Sequence, residues 1–193
     1  GTFTDVAARM GVDVVGFVKA VSWGDYDNDG RLDLFVSRLR EPNLLFHNNG
    51  PSPASQKRFT EVGSAAGVQE PLASFPAWFF DYNNDGWLDI FVSGTNATVD
   101  QVAAEYLGLD HGAEVPRLFR NLQNGKFADV TKAARVDRIM LTMGSNFGDL
   151  DNDGYLDFYV GTGAPSPRFM MPNRMFRNAG GEFFQEVTAS GGF

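Results

Sequence analysis

Cysteine is absent from all 193 residues, so no disulfide staples this chain and no thiolate can hold a metal. Histidine occurs only twice, at His47 and His111. No apolar run approaches the ~20 residues a membrane-spanning helix requires, so no transmembrane segment is expected. Positive charge is scarce: 16 Lys and Arg face 24 Asp and Glu, for a net charge of −8. Phosphate backbones are bound by basic patches, which argues against a nucleic-acid partner. The spacings Gly-x-Ser-x-Gly, His-Glu-x-x-His and the phosphate-binding glycine loop are also missing, so no catalytic residue is assigned. The chain starts Gly-Thr-Phe-Thr without an initiator methionine or signal peptide, as a mature or excised piece would.

What the chain does have is glycine (22 residues), phenylalanine (18) and acid gathered in one recurring pattern. Asp25-Tyr-Asp27-Asn-Asp29-Gly30-Arg-Leu-Asp33 returns as Asp81-Tyr-Asn83-Asn-Asp85-Gly86-Trp-Leu-Asp89 and as Asp149-Leu-Asp151-Asn-Asp153-Gly154-Tyr-Leu-Asp157. Each copy sets oxygen side chains at positions 1, 3, 5 and 9, with glycine at position 6. Alternate residues of a tight loop turn inward, and glycine permits the positive φ that closes the loop. Ca²⁺ takes about six to eight oxygen ligands, so three calcium sites are expected. The backbone carbonyls at position 7 (Arg31, Trp87, Tyr155) would add a further ligand to each. Eleven of the 24 acids lie in these loops, and three bound Ca²⁺ would bring −8 to −2 (−8 plus three times +2). The acidity is therefore mostly ligand. An EF-hand is excluded, because it needs a bidentate Glu at position 12 and flanking helices; position 12 here is Val36, Val92 or Val160.

A second element recurs with the loops. Phe3-Thr-Asp-Val6, Phe59-Thr-Glu-Val62 and Phe127-Ala-Asp-Val130 each lie 22 residues before the first Asp of the next loop, and Phe184-Gln-Glu-Val187 closes the series. Fixed spacing within one chain marks a repeated structural unit. Each unit offers four short stretches rich in β-branched and aromatic residues. One runs up to the loop (18–23, 77–80, 144–147) and one leaves it (32–37, 88–93, 156–161). The third (43–47, 117–120, 174–177) ends at Asn-Gly or Gly-Gly turns that favour hairpins, and the fourth is the Phe-x-Asp/Glu-Val element. Four antiparallel strands repeated radially form a β-propeller blade. The expectation is an all-β segment with repeats at about 7–62, 63–130 and 131–187, and residues 1–6 as the last strand of a preceding blade. Propellers close with four to eight blades, so three imply a larger propeller or one completed by association.

The nine-residue loop resembles the calcium loops of the FG-GAP/VCBS repeat family, found in integrin α-subunit propellers and many bacterial extracellular proteins. The third copy, Phe147-Gly148-Asp149 through Pro165, is the nearest match. The flanking Asn-x-Leu-Phe-x-Asn and Phe-Thr-Asp-Val elements are similar to bacterial ASPIC/UnbV-type repeats. The resemblance implies an extracellular, secreted or cell-envelope setting and a calcium-stabilised, non-catalytic binding, adhesion or assembly role. The alternative is the propeller of a carbohydrate-active enzyme of polysaccharide-lyase type, with catalytic residues partly elsewhere. Asn83 replaces the usual Asp at position 3, which lowers the second loop's charge from −4 to −3 and should make it the weakest site.

The remaining features are placed by the repeat. His47 aligns with Arg120 and Arg177 and reads as a strand residue; His111 falls in an insertion at residues 95–115, with a surface role expected. Trp23, Trp78 and Trp87 flank the loops as packing residues. Within the insertion, Asp100 is expected to cap a short helix with Val102, Tyr106 and Leu109 on its apolar face, and Asn96-Ala97-Thr98 meets the glycosylation sequon. In this topology the insertion lies on the face opposite the loops, with Arg38, Arg40, Pro165, Pro167, Arg168, Phe169 and Met170. Variable loops on a rigid scaffold carry binding, so that face is the expected site for a protein or carbohydrate ligand. Terminal strand edges could also pair between copies.

Overall fold

The computed structural model describes residues 1–51, 57–163 and 171–189. Within them the chain forms three four-stranded antiparallel sheets, each in simple sequence order. The first contains β1 (Val18–Gly24), β2 (Asp33–Arg38), β3 (Leu44–Asn48) and β4 (Phe59–Glu61). The second contains β5 (Ser74–Phe80), β6 (Asp89–Gly94), β7 (Arg117–Asn121) and β8 (Phe127–Asp129). The third contains β9 (Thr142–Gly148), β10 (Asp157–Thr162), β11 (Arg174–Asn178) and β12 (Phe184–Glu186). These are the expected propeller blades, and their first strands sit side by side, β1 against β5 and β5 against β9.

The runs Leu-Phe-Val, Ile-Phe-Val and Phe-Tyr-Val that follow the loops are apolar without alternation because the blades bury both faces of the strand. Side chains alternate between the faces. Ile90 and Val92 turn toward the first blade and join Phe35, Leu45, Ala77 and Phe79. Phe91 turns the other way, with Trp78, Phe158, Val160 and Phe176, into the junction with the third blade. That junction is aromatic: Phe158 stacks on Phe176 with centroids 4.6 Å apart and lies 4.9 Å from both Phe91 and Phe184. Each fully buried Phe contributes roughly 1.5–3 kcal/mol through burial alone. On the first blade the face turned away from the second is only partly covered, by Val12, Val14 and Phe59 over Leu34, Val36 and Phe46. Trp23 and Val21 there are 53% and 54% exposed, whereas their counterparts Phe79 and Ala77 are 6% and 8% exposed.

The links between blades are single helical turns, α1 (Ala7–Met10) and α2 (Gly63–Ala66), ended by Gly11 and Gly67 in the left-handed region. The third link, near Ala134, is a turn with Arg135 at φ 58°.

Residues 1–6 are irregular, with Phe3 fully exposed; the other copies of this element each pair with the third strand of their own blade, as Thr60 does with His47. Two expectations about the insertion need correction. The insertion does hold a helix, α3 (Val99–Tyr106), but Thr98 caps it. Thr98 accepts from the Gln101 N–H while Gln101 returns a bond to the Thr98 N–H, at 3.4 and 2.8 Å; this capping box outcompetes Asp100, which sits in the first turn where the helix dipole favours an acid. Of the expected apolar face only Val102 packs, against Ala97, Ile139 and Leu141. Tyr106 and Leu109 stay exposed, because α3 is held down by Glu105 instead. Glu105 accepts from the Ile139 N–H at 2.6 Å and pairs with the buried Arg174 at 3.3 Å, while Glu186 takes the other arm of that guanidinium at 3.1 Å. Glu114 anchors the far end of the insertion on the Leu72 and Ala73 N–H groups. The insertion thus straps the second blade to the third, at the end of β6 away from the acidic loop. Of the residues expected on that face, those at 165–170 lie outside the described residues.

Candidate metal centre

The three acidic loops close in the same way. Position 1 folds each loop over itself: Asp25 accepts from the Asp29 and Gly30 N–H groups at 3.0 and 2.8 Å. Asp81 does so with Asp85 and Gly86, and Asp149 with Asp153 and Gly154. Position 5 then accepts from the N–H of position 7 (Arg31, Trp87, Tyr155) at 2.9–3.0 Å. The turn needs two left-handed residues, Asn at position 4 (φ 55–60°) and Gly at position 6 (φ 82–90°). A Cβ built on Gly30, Gly86 or Gly154 would meet nothing within 4 Å, so the glycine is there for its backbone angle alone.

Position 9 is the anchor. Asp33, Asp89 and Asp157 begin the second strand of their blades and are buried. One oxygen of each accepts from the N–H at position 2 (Tyr26, Tyr82, Leu150) at 2.9–3.2 Å. The other accepts from the last residue of the third strand (Asn48, Asn121, Asn178) at 2.7–2.8 Å. The side chains of those asparagines donate in turn to the carbonyl at position 8 (Leu32, Leu88, Leu156).

This closure brings ligand atoms together. Carboxylate oxygens of Asp25, Asp27 and Asp29 lie within 4.8 Å of one another, as do those of Asp149, Asp151 and Asp157. The second loop has the same form, with Asn83 bonded to Asp85 at 3.1 Å. Burial, more than crowding, sets the electrostatics. Burial pushes Asp33 up to about 6 and Asp89 up to about 7. Burial and the neighbouring Asp29 raise Asp27, and burial together with Asp33 lifts the Tyr26 phenol to about 12. A cation among these groups would reverse the penalty on the charged forms.

The fit to a hard cation rests on position 3. The Oδ1 atoms of Asp27 and Asn83 are buried and have no hydrogen-bond partner, an arrangement that costs ~1–3 kcal/mol per group when nothing binds it. All-oxygen donors match Ca²⁺ rather than a softer metal.

Basic groups crown two of the loops. His47 is more than a strand residue: its Nδ1 is 3.1 Å from Asp27 and 3.5 Å from Asp33. Arg177, at the equivalent place, lies 2.5 Å from Asp151 and 3.7 Å from Asp153. Arg31 pairs with Asp29. Among the tryptophans, Trp78 is core and Trp23 is half exposed.

Two sets of residues escape a reading by loop chemistry. The position-4 asparagines of the first two loops, Asn28 and Asn84, reach the next loop, and Asn121 and Asn178 reach the previous one, where each donates to a position-2 carbonyl. Their signal in the sequence is identity: asparagine occupies both places in all three copies.

Four-stranded antiparallel blades, each opening through an oxygen-lined nine-residue loop, are the repeated units of a β-propeller. An FG-GAP-like repeat model matches residues 25–92 and again 81–160, and the chain belongs to that family. It is similar to Cartilage acidic protein 1 of Mus musculus, 28% identical over 174 residues that make up 90% of this chain. The match spans 24% of the mouse protein's length. No helix among the described residues is long and apolar enough to cross a membrane.

Proposed function

We propose that the chain is a calcium-stabilised, non-catalytic binding or assembly module that works outside the cell or in the cell envelope, with one Ca²⁺ in each of three loops. The observation that carries this reading is the pair of buried, unpartnered position-3 oxygens inside loops whose other carboxylates are already oriented. The ligands would be Asp25, Asp27, Asp29 and Asp33 with the Arg31 carbonyl; Asp81, Asn83, Asp85 and Asp89 with the Trp87 carbonyl; and Asp149, Asp151, Asp153 and Asp157 with the Tyr155 carbonyl. Bound calcium would neutralise the acid clusters and pin the β1–β2, β5–β6 and β9–β10 turns. Extracellular modules bind Ca²⁺ at roughly 10⁻⁴–10⁻³ M, which suits a compartment rich in calcium, and the mouse relative is named for cartilage. Occupancy at about ten times Kd stabilises by ~1.4 kcal/mol per site. Three sites give about 4 kcal/mol, or a rise in Tm of roughly 8–16 °C for a chain of this size. Thermal unfolding in calcium and in EGTA tests the proposal; an unmoved Tm sinks it.

The partner would be a protein or carbohydrate on the face opposite the loops. The insertion supports this, since its base is clamped by Glu105 and Glu114 while Tyr106, Leu107 and Leu109 stand exposed. Partner binding that survives replacement of residues 95–115 by the short β2–β3 turn would refute the placement. Assembly is supported by the open face of the first blade around Trp23 and Val21; a monomeric mass at every concentration would dismiss it.

A further inference from the structure

Each junction between neighbouring loops is crossed twice, once in each direction. Asn28 lies between two candidate ligands, Asp27 and Asp29, and its side chain donates to the Gly86 carbonyl at 3.0 Å. That carbonyl belongs to the peptide whose N–H, on Trp87, is held by Asp85 at 3.0 Å. In the other direction Asn121, whose N–H is bound to Asp89, reaches back to the Tyr26 carbonyl at 2.8 Å, between Asp25 and Asp27. The second junction repeats the first. Asn84 donates to the Gly154 carbonyl at 2.9 Å, and Asn178, bound to Asp157 through its N–H, donates to the Tyr82 carbonyl at 2.8 Å. All four bonds therefore tie a residue that adjoins, or is hydrogen-bonded to, a cation-facing position to the backbone beside such a position in a neighbouring loop.

We infer that these asparagines couple the three loops, so that a cation bound in one loop raises the affinity of its neighbour; the inference rests on the calcium reading above. An empty loop holds mutually repelling carboxylates and must be ordered before it can bind. A filled neighbour has already fixed the peptides at both ends of the two crossing bonds, so less ordering remains to be done. The coupling is reciprocal, because each loop changes the other's affinity by the same factor. Asn28, Asn84, Asn121 and Asn178 act as positioning residues and not as ligands. Asn152 has the same backbone geometry, with φ 60°, but its side chain reaches no other loop among the described residues, which supplies an internal control.

The test is a double-mutant cycle read at the second loop, whose Trp87 reports calcium binding through its emission. The third loop is disabled with the isosteric pair Asp151→Asn and Asp153→Asn, and the affinity of the second loop is compared with that in the native chain. Each crossing hydrogen bond is worth about a fivefold effect, so loss of the third loop should weaken the second by up to about 25-fold. In an Asn84→Ala background, which keeps only the Asn178 bond, the dependence should fall to about fivefold. Asn152→Ala repeats the strain of alanine at positive φ and should leave the native dependence in place. A second loop indifferent to the third, or a dependence unchanged by Asn84→Ala, overturns the coupling while the calcium sites stand. A native chain that binds no calcium removes both.

Discussion

Calcium-stripped and calcium-loaded protein should respond to pH in opposite directions. In the stripped chain, burial lifts Asp33 to about 6 and Asp89 to about 7, from 3.8. Both folded-state values lie above the unfolded one, so the folded chain keeps protons that the unfolded chain has already released. The resulting stabilisation is complete below about pH 4 and is lost as pH rises through 6 for Asp33 and 7 for Asp89. Between about pH 5 and pH 8 this amounts to one unit for Asp33 (5 to about 6) and two for Asp89 (5 to about 7). Three units at ~1.4 kcal/mol each make about 4 kcal/mol, which lowers Tm by roughly 8–16 °C in a chain of this length. In the loaded chain the same carboxylates must be ionised to serve the cation, so protons compete with it and Tm is lower at pH 5 than at pH 8. Circular-dichroism melts in metal-stripped buffer, with and without millimolar calcium, measure both slopes. A stripped chain that melts higher at pH 8 would show Asp33 and Asp89 ionised in the fold, against the burial reasoning. Parallel slopes in the two conditions would detach these carboxylates from the cation.

Asn121→Ala should destabilise the chain by about 3 kcal/mol or more in urea denaturation, because it strands the carbonyls of Tyr26 and Leu88 and the N–H of Gln123. Glu105→Ala should cost about 3 kcal/mol in a guanidinium melt: it removes one partner of the buried Arg174 and the acceptor for the Ile139 N–H, while Glu186 remains. Pairing it with Arg174→Leu should recover part of that loss. Asn83→Asp should tighten the second loop in calorimetric titration, since added ligand charge strengthens calcium loops; an unchanged affinity would show that the carboxylate count does not rank these sites.

The blades were legible because the repeat declares itself three times. The fixed 22-residue spacing and the Leu-Phe-Val, Ile-Phe-Val and Phe-Tyr-Val runs locate the second strand of every blade to within a residue. The Phe-x-Asp/Glu-Val element becomes a strand where a third strand pairs with it, as His47 does with Thr60; the pattern alone does not make one. The helix cap went to Thr98 because two reciprocal bonds outweigh the single one Asp100 could offer. His47 and Arg177 were hidden since their role depends on the β3 and β11 ends passing over the loops, a tertiary fact. Glu105 and Arg174 are 69 residues apart, and nothing in their local sequence announces the pair. The asparagine crosslinks were visible as identities but unreadable as bonds until two blades stood side by side.

The alternation of side chains along β2, β6 and β10 has an evolutionary consequence. Leu34 and Phe35 are chain neighbours, yet they pack on opposite faces of the blade, and Phe35 answers to Phe79 of the following blade at 6.3 Å. The inherited module is therefore staggered against the sequence repeat: half of one copy and half of the next. When such a unit is duplicated, the new copy's forward half must fit its twin's rear half at once, and later drift must keep those halves matched across the junction. Compensating changes should therefore gather between neighbouring repeats, in pairs such as Phe35 with Phe79, rather than within any one of them.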